Sequence, residues 1–365
     1  MRADIEPASP APEFRETRLD GVDHIESYVG KARQAAHLYR SAFGFDVVAY
    51  SGPETEVRDR ASYVLRQGDV HLVMTAPFSP DGEIAEHVRL HGDGVRALAF
   101  QVDDAAYQDA VGRGARPMAE PHVIEDQQAA IRLATVKTFV ERNEYEGAFM
   151  PGDRAEVKGA VGAGLQGVDR CVCNVELHPM GEWVDWYNRV FGFDVSQEFD
   201  ENDIATQYSA LRGRVVRGGR GDSITFPINE PAKGLKRSQI DEYLDYYHGP
   251  GVQHIALHTA DIVETVGWLR QQGAEFPAAP KSYYDTPGER VGDIDEDLER
   301  LRQLDILVDR DQHGYLLQIF TRGVEDRPTL FFEVIQRKGC RGFGKGNFPA
   351  LFQAIEQEQE ARGNL

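Results

Sequence analysis

The chain has 365 residues, 41% of them hydrophobic and 10% aromatic, which is enough for two domains with a substantial buried core. Its 60 acidic against 40 basic residues give a formal charge of -20, a balance that works against nucleic acid or an anionic membrane as partner. Cys171, Cys173 and Cys340 are too few and too irregularly spaced for a disulfide framework. No apolar run approaches the ~18 residues that span a bilayer. Met1 to Glu13 carries Pro7, Pro10 and Pro12 without the apolar centre of a signal peptide, so a reduced, cytoplasmic setting is expected.

In chain order, Gly21-Val22-Asp23-His24 opens a short apolar strand, Ile25 to Val29. An amphipathic helix follows, reaching Tyr39 and the turn Phe43-Gly44-Phe45. Strands are predicted at Ser62 to Leu65 and His71 to Thr75, and His91-Gly92-Asp93-Gly94-Val95 leads another strand and a helix ending at Gly114-Ala115. The second half repeats this order. Gly167-Val168-Asp169-Arg170 opens a strand from Cys171 to Val175. Trp183, Trp186, Tyr187 and Val190 then recur at helical spacing before Phe191-Gly192-Phe193. Strands at Ala205 to Leu211 and Ser223 to Phe226 flank the turn Arg217 to Gly221. His248-Gly249-Pro250-Gly251-Val252 leads a strand and a helix ending at Gly273-Ala274. Asp293 to Arg302 reads as a charged surface helix, Leu316 to Phe320 and Thr329 to Ile335 as strands, and Phe348 to Gly363 as a closing helix.

Four blocks returning in one order indicate a duplicated domain. The expected fold class is α+β, with duplicated βαβββ modules curling each half into an open barrel. Residues 14–152 form the first domain, 153–166 a Gly- and Ala-containing linker, and 167–365 the second domain with its closing helix. A cup-shaped sheet points every second strand residue inward, so a metal or polar site is sought there. His254, in Gly251-Val252-Gln253-His254-Ile255-Ala256-Leu257, shares a face with Ala256, and Glu333 is a charge inside the apolar strand Leu330 to Ile335. Each has a plainer reading: a hydrogen-bonded core histidine for His254, a buried ion pair for Glu333.

Pro227-Ile228-Asn229-Glu230-Pro231, Lys236 to Ile240, the His254 strand, Leu316 to Phe320, Asp326 to Thr329 and Gly342-Phe343-Gly344-Lys345-Gly346-Asn347-Phe348 are, in this order, similar to the signature blocks of 4-hydroxyphenylpyruvate dioxygenases. The resemblance covers nearly the whole chain and is strongest from Gly167 to Leu365. It implies the vicinal-oxygen-chelate, glyoxalase/dioxygenase-like fold and an Fe(II)-dependent oxidative decarboxylation and hydroxylation of an arylpyruvate, with a homogentisate- or hydroxymandelate-type product and a place in tyrosine catabolism. The partners implied are a small aryl 2-oxo acid and dioxygen. A homo-oligomer, dimer or tetramer, is expected.

Carried over by motif, His254 and Glu333 are iron ligands of a two-histidine, one-carboxylate triad. Gln253, Gln318, Asn229 and Gln239 become catalytic positions. Pro227, Phe320, Phe331, Phe343, Asn347, Phe348, Gly213 and Arg170 become substrate-binding positions. Two residues depart from the pattern. The remaining ligand is expected directly after Asp169, where Arg170 stands, and a guanidinium has no lone pair for a metal. Gly213 stands where the family commonly carries a serine. A metal-impaired relative that binds an aryl 2-oxo acid for non-oxidative chemistry or regulation is the alternative, with Arg170 paired to Glu333. In the first half His24 aligns with Arg170 and Glu141 with Glu333, while Ala97 takes the place of His254.

Overall fold

The computed structural model describes residues 18–102, 106–117, 122–124, 128–133, 137–142, 147–156, 162–200, 208–284 and 291–364. The first half contains β1 (Leu19–Tyr28), α1 (Ala32–Phe43), β2 (Asp46–Ser51), β3 (Arg60–Gln67), β4 (Val70–Pro77), α2 (Glu83–His91), β5 (Gly94–Val102) and α3 (Ala106–Gly112). It continues with β6 (His122–Ile124), β7 (Gln128–Leu133), β8 (Lys137–Glu141) and β9 (Arg154–Ala155). The second half contains β10 (Leu165–Asn174), α4 (Met180–Phe191), β11 (Asp194–Phe199), β12 (Ala210–Gly218), β13 (Ile224–Ala232), α5 (Gln239–Tyr247), β14 (Gly251–Thr259) and α6 (Ile262–Gln271). It closes with α7 (Leu298–Gln303), β15 (Leu307–Asp311), β16 (Gly314–Phe320), β17 (Phe331–Lys338) and α8 (Phe348–Ala361).

The two sheets have one topology. The first runs β6-β7-β8-β5-β1-β4-β3-β2-β9, and the second, read the same way, β15-β16-β17-β14-β10-β13-β12-β11. Even the irregularities recur. β1 slips against β5 between Leu19 and Gly21, Val22 and His24, and Glu26 and Ser27. β10 slips against β14 between Leu165 and Gly167, Val168 and Arg170, and Val172 and Cys173. α1 and α4 both stop at a left-handed glycine, Gly44 (φ 75) and Gly192 (φ 72), a conformation that a Cβ disfavours. Tyr39 and Tyr187 are buried at corresponding places on these helices.

One apolar core joins the halves. Tyr39 and Phe43 of α1 lie 5.7 and 5.3 Å from the Phe332 ring of β17, and Phe100 of β5 lies 6.1 Å from Phe191 of α4. Helices of one half thus cover strands of the other, as their apolar stripes require.

Four boundaries differ from the sequence reading. Arg154 and Ala155, placed in the linker, pair with Tyr50 and Ala49 at the sheet edge, and β10 starts at Leu165, inside the linker range. Edge pairing uses backbone groups and leaves no side-chain period to read. β12 runs on to Gly218 because its arginines alternate with Leu211, Gly213 and Val215 as an ordinary strand. α7 begins at Leu298, where Asp297 accepts a hydrogen bond from the Glu299 amide as its cap. Residues 14–17, 157–161 and 205–207 of the sequence reading lie outside the described residues.

Candidate active site

The inner face of the second sheet is built around Ala256. Arg170 of β10 lies opposite Ala256 on one side and Glu333 of β17 lies opposite it on the other. Arg170 and Glu333 therefore stand two strands apart, and they reach across a residue whose methyl group leaves the space open. One guanidinium nitrogen, Nη2, donates to both Glu333 oxygens at 2.6 and 2.7 Å. Both residues are sealed from solvent, at 4% and 0% exposure.

The pair belongs to a polar chain that crosses the cup. Gln239, the first residue of α5, accepts from Gln253 Nε2 at 3.5 Å. Gln253 Oε1 accepts from His254 Nδ1 at 3.2 Å, and His254 Nε2 stands 3.6 Å from Glu333 Oε2. On the far side Arg170 Nη1 is 3.5 Å from Asp169, which Arg337 clamps through Nε and Nη2 at 2.8 and 3.0 Å. Burial holds the His254 imidazole below its ordinary range, opposed by Glu333 and aided by Arg170. Burial raises the Asp169 carboxyl, but Arg170 and Arg337 outweigh it and the group lies below its usual range.

Beside this chain opens a cavity with about 620 Å³ of atom-free space inside it and at its mouth. Of the residues singled out by sequence, Arg170, Pro227, Asn229, Gln239, Gln253, His254, Phe320, Phe331, Glu333, Phe343 and Phe348 line it. His254 stacks on Phe331 at 4.7 Å and meets Phe320 edge-on at 5.8 Å, and the Arg170 guanidinium lies 5.3 Å from the Phe343 ring centre.

Three of the singled-out residues do not line the cavity. Gln318 shares the cup face with Phe320, but the Gly344 turn lies over it so closely that a Cβ there would stand 2.3 Å from its Nε2. Asn347 is fully buried and accepts from the Tyr283 hydroxyl at 2.6 Å. Gly213 pairs with Asn229, whose Oδ1 lies 2.6 Å from where a Gly213 side chain would begin. The Asn229 amide thus fills the room that a serine would take.

Sequence reasoning missed Val172, Phe199, Leu211, Val215, Leu351 and Phe352 in the wall. Some had a signal. Val172 follows Arg170 by the strand period, and Phe348, Leu351 and Phe352 share one helix face at i, i+3 and i+4. Leu211 and Val215 flank Gly213 by the same strand period, whereas Phe199 had no signal.

The first half corrects one alignment. Ala99 corresponds to Ala256, and its partner on β8 is Thr138, so Thr138 rather than Glu141 stands where Glu333 stands. The misreading came from counting a charge in an apolar run without the strand register. What the halves do share is a scaffold pair. Arg142 clamps Asp23 at 2.6 and 2.7 Å as Arg337 clamps Asp169. His24, at the place of Arg170, gives Asp23 a second partner at 2.6 Å.

Two sheets of one topology, with a polar line on the inner face of one of them, define a class of oxygen-chelating and metal-dependent folds. The sequence profile of the Glyoxalase/Bleomycin resistance protein/Dioxygenase superfamily matches residues 21–138 and 178–319, one stretch in each half. The 4-hydroxyphenylpyruvate dioxygenase of Dictyostelium discoideum is 44% identical, across 95% of this chain and 100% of its own length. That of Coccidioides posadasii is 41% identical, across 99% and 98%. Among solved structures, a triple mutant of 4-hydroxymandelate synthase from Streptomyces coelicolor superposes with a TM-score of 0.81 at 33% identity, covering 94% of this chain and 99% of that one. The chain belongs to the 4-hydroxyphenylpyruvate dioxygenase family.

The family depends on Fe(II). The residues present do not fit that ion as they are arranged. His254 and Glu333 are two donors, and both Glu333 oxygens already accept from Arg170. The buried charges of Arg170, Arg337, Asp169 and Glu333 cancel, so no net negative charge draws a dication. Among the described residues no group of three His, Cys, Asp or Glu is placed to hold a metal.

Proposed function

We propose that this chain is an arylpyruvate-directed enzyme of the dioxygenase family, binding an aryl 2-oxo acid in the cup of its second half. The observation that carries this is a cavity walled by Phe320, Phe331, Phe343 and Phe348 and edged by the amides of Asn229, Gln239 and Gln253. Phenylalanine rings exclude water and accept an aromatic ring, while amides both donate to and accept from a phenol or an oxo group. Relatives named as dioxygenases over nearly the full length support oxidative decarboxylation as the reaction, with dioxygen as co-substrate and a homogentisate- or hydroxymandelate-type product. We place it in the cytoplasm as a homo-oligomer, dimer or tetramer. Among the described residues no helix is long and apolar enough to cross a membrane.

The Arg170–Glu333 pair is the observation behind a second reading, which the relatives' names do not favour. Without iron, Arg170 still has hydrogens on Nε and Nη1 to offer the carboxylate of the 2-oxo acid, which makes the cup a binding site for non-oxidative chemistry or regulation. One experiment separates the two. The purified chain is titrated anaerobically with Fe(II), with and without 4-hydroxyphenylpyruvate, and oxygen uptake is then measured. Stoichiometric iron and oxygen uptake support the first reading. Saturable binding of the oxo acid with neither iron nor oxygen uptake supports the second, and no binding of the oxo acid sinks both.

A further inference from the structure

Phe343 lines the cup and also a second pocket, one with about 700 Å³ of atom-free space inside it and at its mouth. Arg217 of β12 stands in the wall of this pocket. Leu211 and Val215 of the same strand line the cup, and the strand period carries Arg217 onto their face. Its guanidinium lies 5.7 Å from the Phe343 ring centre, and that of Arg170 lies 5.3 Å from the same ring. Arg217 Nε donates to Thr225 Oγ1 at 3.3 Å. Among the described residues neither Nη1 nor Nη2 has an acceptor or a carboxylate partner, and both reach solvent.

Arg341, on the turn after β17, lines the same pocket. It is exposed, and its side chain makes no ion pair or hydrogen bond among the described residues. Asp311 is the carboxylate of the lining, but its oxygens already accept from the amides of His313, Gly314, Arg341 and Gly342 at 2.8 to 3.1 Å. Asp194 lies opposite Arg217 on β11 and Asp222 follows in the next turn, yet neither forms an ion pair with it. Burial lowers the Arg217 guanidinium below its ordinary range, opposed by Asp222 and Asp169 and aided by Arg337 and Arg341. A chain with a formal charge of -20 repels anions in general, so two unpaired guanidiniums at one pocket are a local exception. Each offers a planar fork of N–H donors that matches the edge of a carboxylate or a phosphate.

We infer that this pocket binds a small oxyanion, a phosphate or a carboxylate, between Arg217 and Arg341 and against the Phe343 ring. The inference stands apart from what the cup binds. Inorganic phosphate and acetate are the probes, each titrated into the intact chain by calorimetry at constant ionic strength. One saturable site is expected, and the probe that fills it more tightly gives the class of the occupant. Arg217→Gln and Arg341→Gln should each weaken that probe at least tenfold. Arg217→Lys keeps the charge without the fork and should recover only part of the loss. Arg220→Gln removes a nearby exposed charge already paired with Asp20 at 3.1 Å, and it should leave binding unchanged. Should Arg217→Gln fail to fold, Arg341→Gln decides, because its side chain is exposed. The inference is overturned if neither probe saturates, or if either Arg217→Gln or Arg341→Gln binds as the wild type does. It is also overturned if Arg220→Gln weakens binding as much as they do, which is the mark of a general surface field.

Discussion

Arg170 and Glu333 meet in an interior where neither charge can reach water, so each depends on the other. Removing one member of such a pair leaves an uncompensated buried charge, a loss of about 3–5 kcal/mol, whereas replacing both with apolar groups is often neutral. Glu333→Gln should therefore destabilise the chain by about that amount in urea unfolding. The double variant Arg170→Met with Glu333→Leu should recover most of it. If Glu333→Gln unfolds at the wild-type midpoint, the pair is not formed in solution. Arg170 also opposes a dication at this place. At ~4 Å and an effective dielectric of ~20 the repulsion of +1 against +2 is about 8 kcal/mol, and each 1.4 kcal/mol is a factor of ten in affinity. Even a fraction of it, after the long side chain swings away, is a large effect. Arg170→His removes the charge and adds a donor beside His254 and Glu333. It should bind Fe(II) at least a hundredfold more tightly than the wild type in an anaerobic titration. Equal affinities would show that some other residue supplies the missing ligand.

Among the elements, α8 is the one that closes the cup. Its Phe348, Leu351 and Phe352 form part of the cavity wall, and Phe352 packs with Leu211 and Ile240 in a small cluster separate from the main core. Polar ties hold its far end, where Arg362 donates to Glu242 at 2.8 and 3.1 Å and Ser209 donates to Glu356 at 2.6 Å. A lid seated on its own small cluster can be lost without dissolving the fold. Deleting residues 348–365 should weaken 4-hydroxyphenylpyruvate binding at least tenfold while the remaining chain keeps a cooperative unfolding transition. An unchanged dissociation constant in that folded truncate would remove α8 from the binding site. α1 differs, because its Tyr39 and Phe43 pack on Phe332 of the other half and lie in the shared core.

For the whole molecule, the buried titratable groups set how stability changes with acid. Burial lowers His71 to about 4, against a weaker pull from Asp23, and lowers His87 to about 3, with His91 and Arg96 pushing the same way. In the unfolded chain both titrate at the ordinary value of 6.5, so there they take up a proton before the folded chain does. The contribution of these two rings is then full above pH 6.5 and is lost as pH drops from there toward 4 and 3. The carboxyls act lower down. Burial raises Asp23 and Asp169, but His24 and then Arg142 outweigh it at Asp23 and Arg170 and Arg337 at Asp169, so both lie below the ordinary 3.8 and their contribution is present above that value and lost as pH falls beneath it. Glu325 acts the other way: burial, with Asp93 and Asp326, raises its carboxyl to about 8, so falling pH favours the folded chain through this group between 8 and 4.5 and offsets part of the histidine loss. The histidine contribution is therefore read as a difference: between pH 7.5 and 4.5 the urea midpoint of His87→Gln should move less in the destabilising direction than that of the wild type, and identical shifts would mean that His87 is not buried as a neutral ring.

The duplication, the inward faces of the strands and the apolar faces of the helices were legible in the sequence. Each rests on spacing within a short stretch, as with the repeated Gly-Val-Asp openings or Phe348, Leu351 and Phe352 on one turn of helix. The class of ligand came from the resemblance of whole blocks, such as Pro227 to Pro231 and Gly342 to Phe348, to one family and not from any spacing. Which side chains meet was decided only by the tertiary structure. Arg170 touches Glu333 because the register sets them on either side of Ala256, and Thr138 replaces Glu141 as the counterpart of Glu333 for the same reason. The Gly344 turn covers Gln318, and His87 of one half and Trp183 of the other come to line one cavity at the seam between the halves. Strand period and helix period are properties of neighbouring residues, whereas register, loop path and the docking of one half on the other join residues far apart in sequence, and no local pattern encodes them.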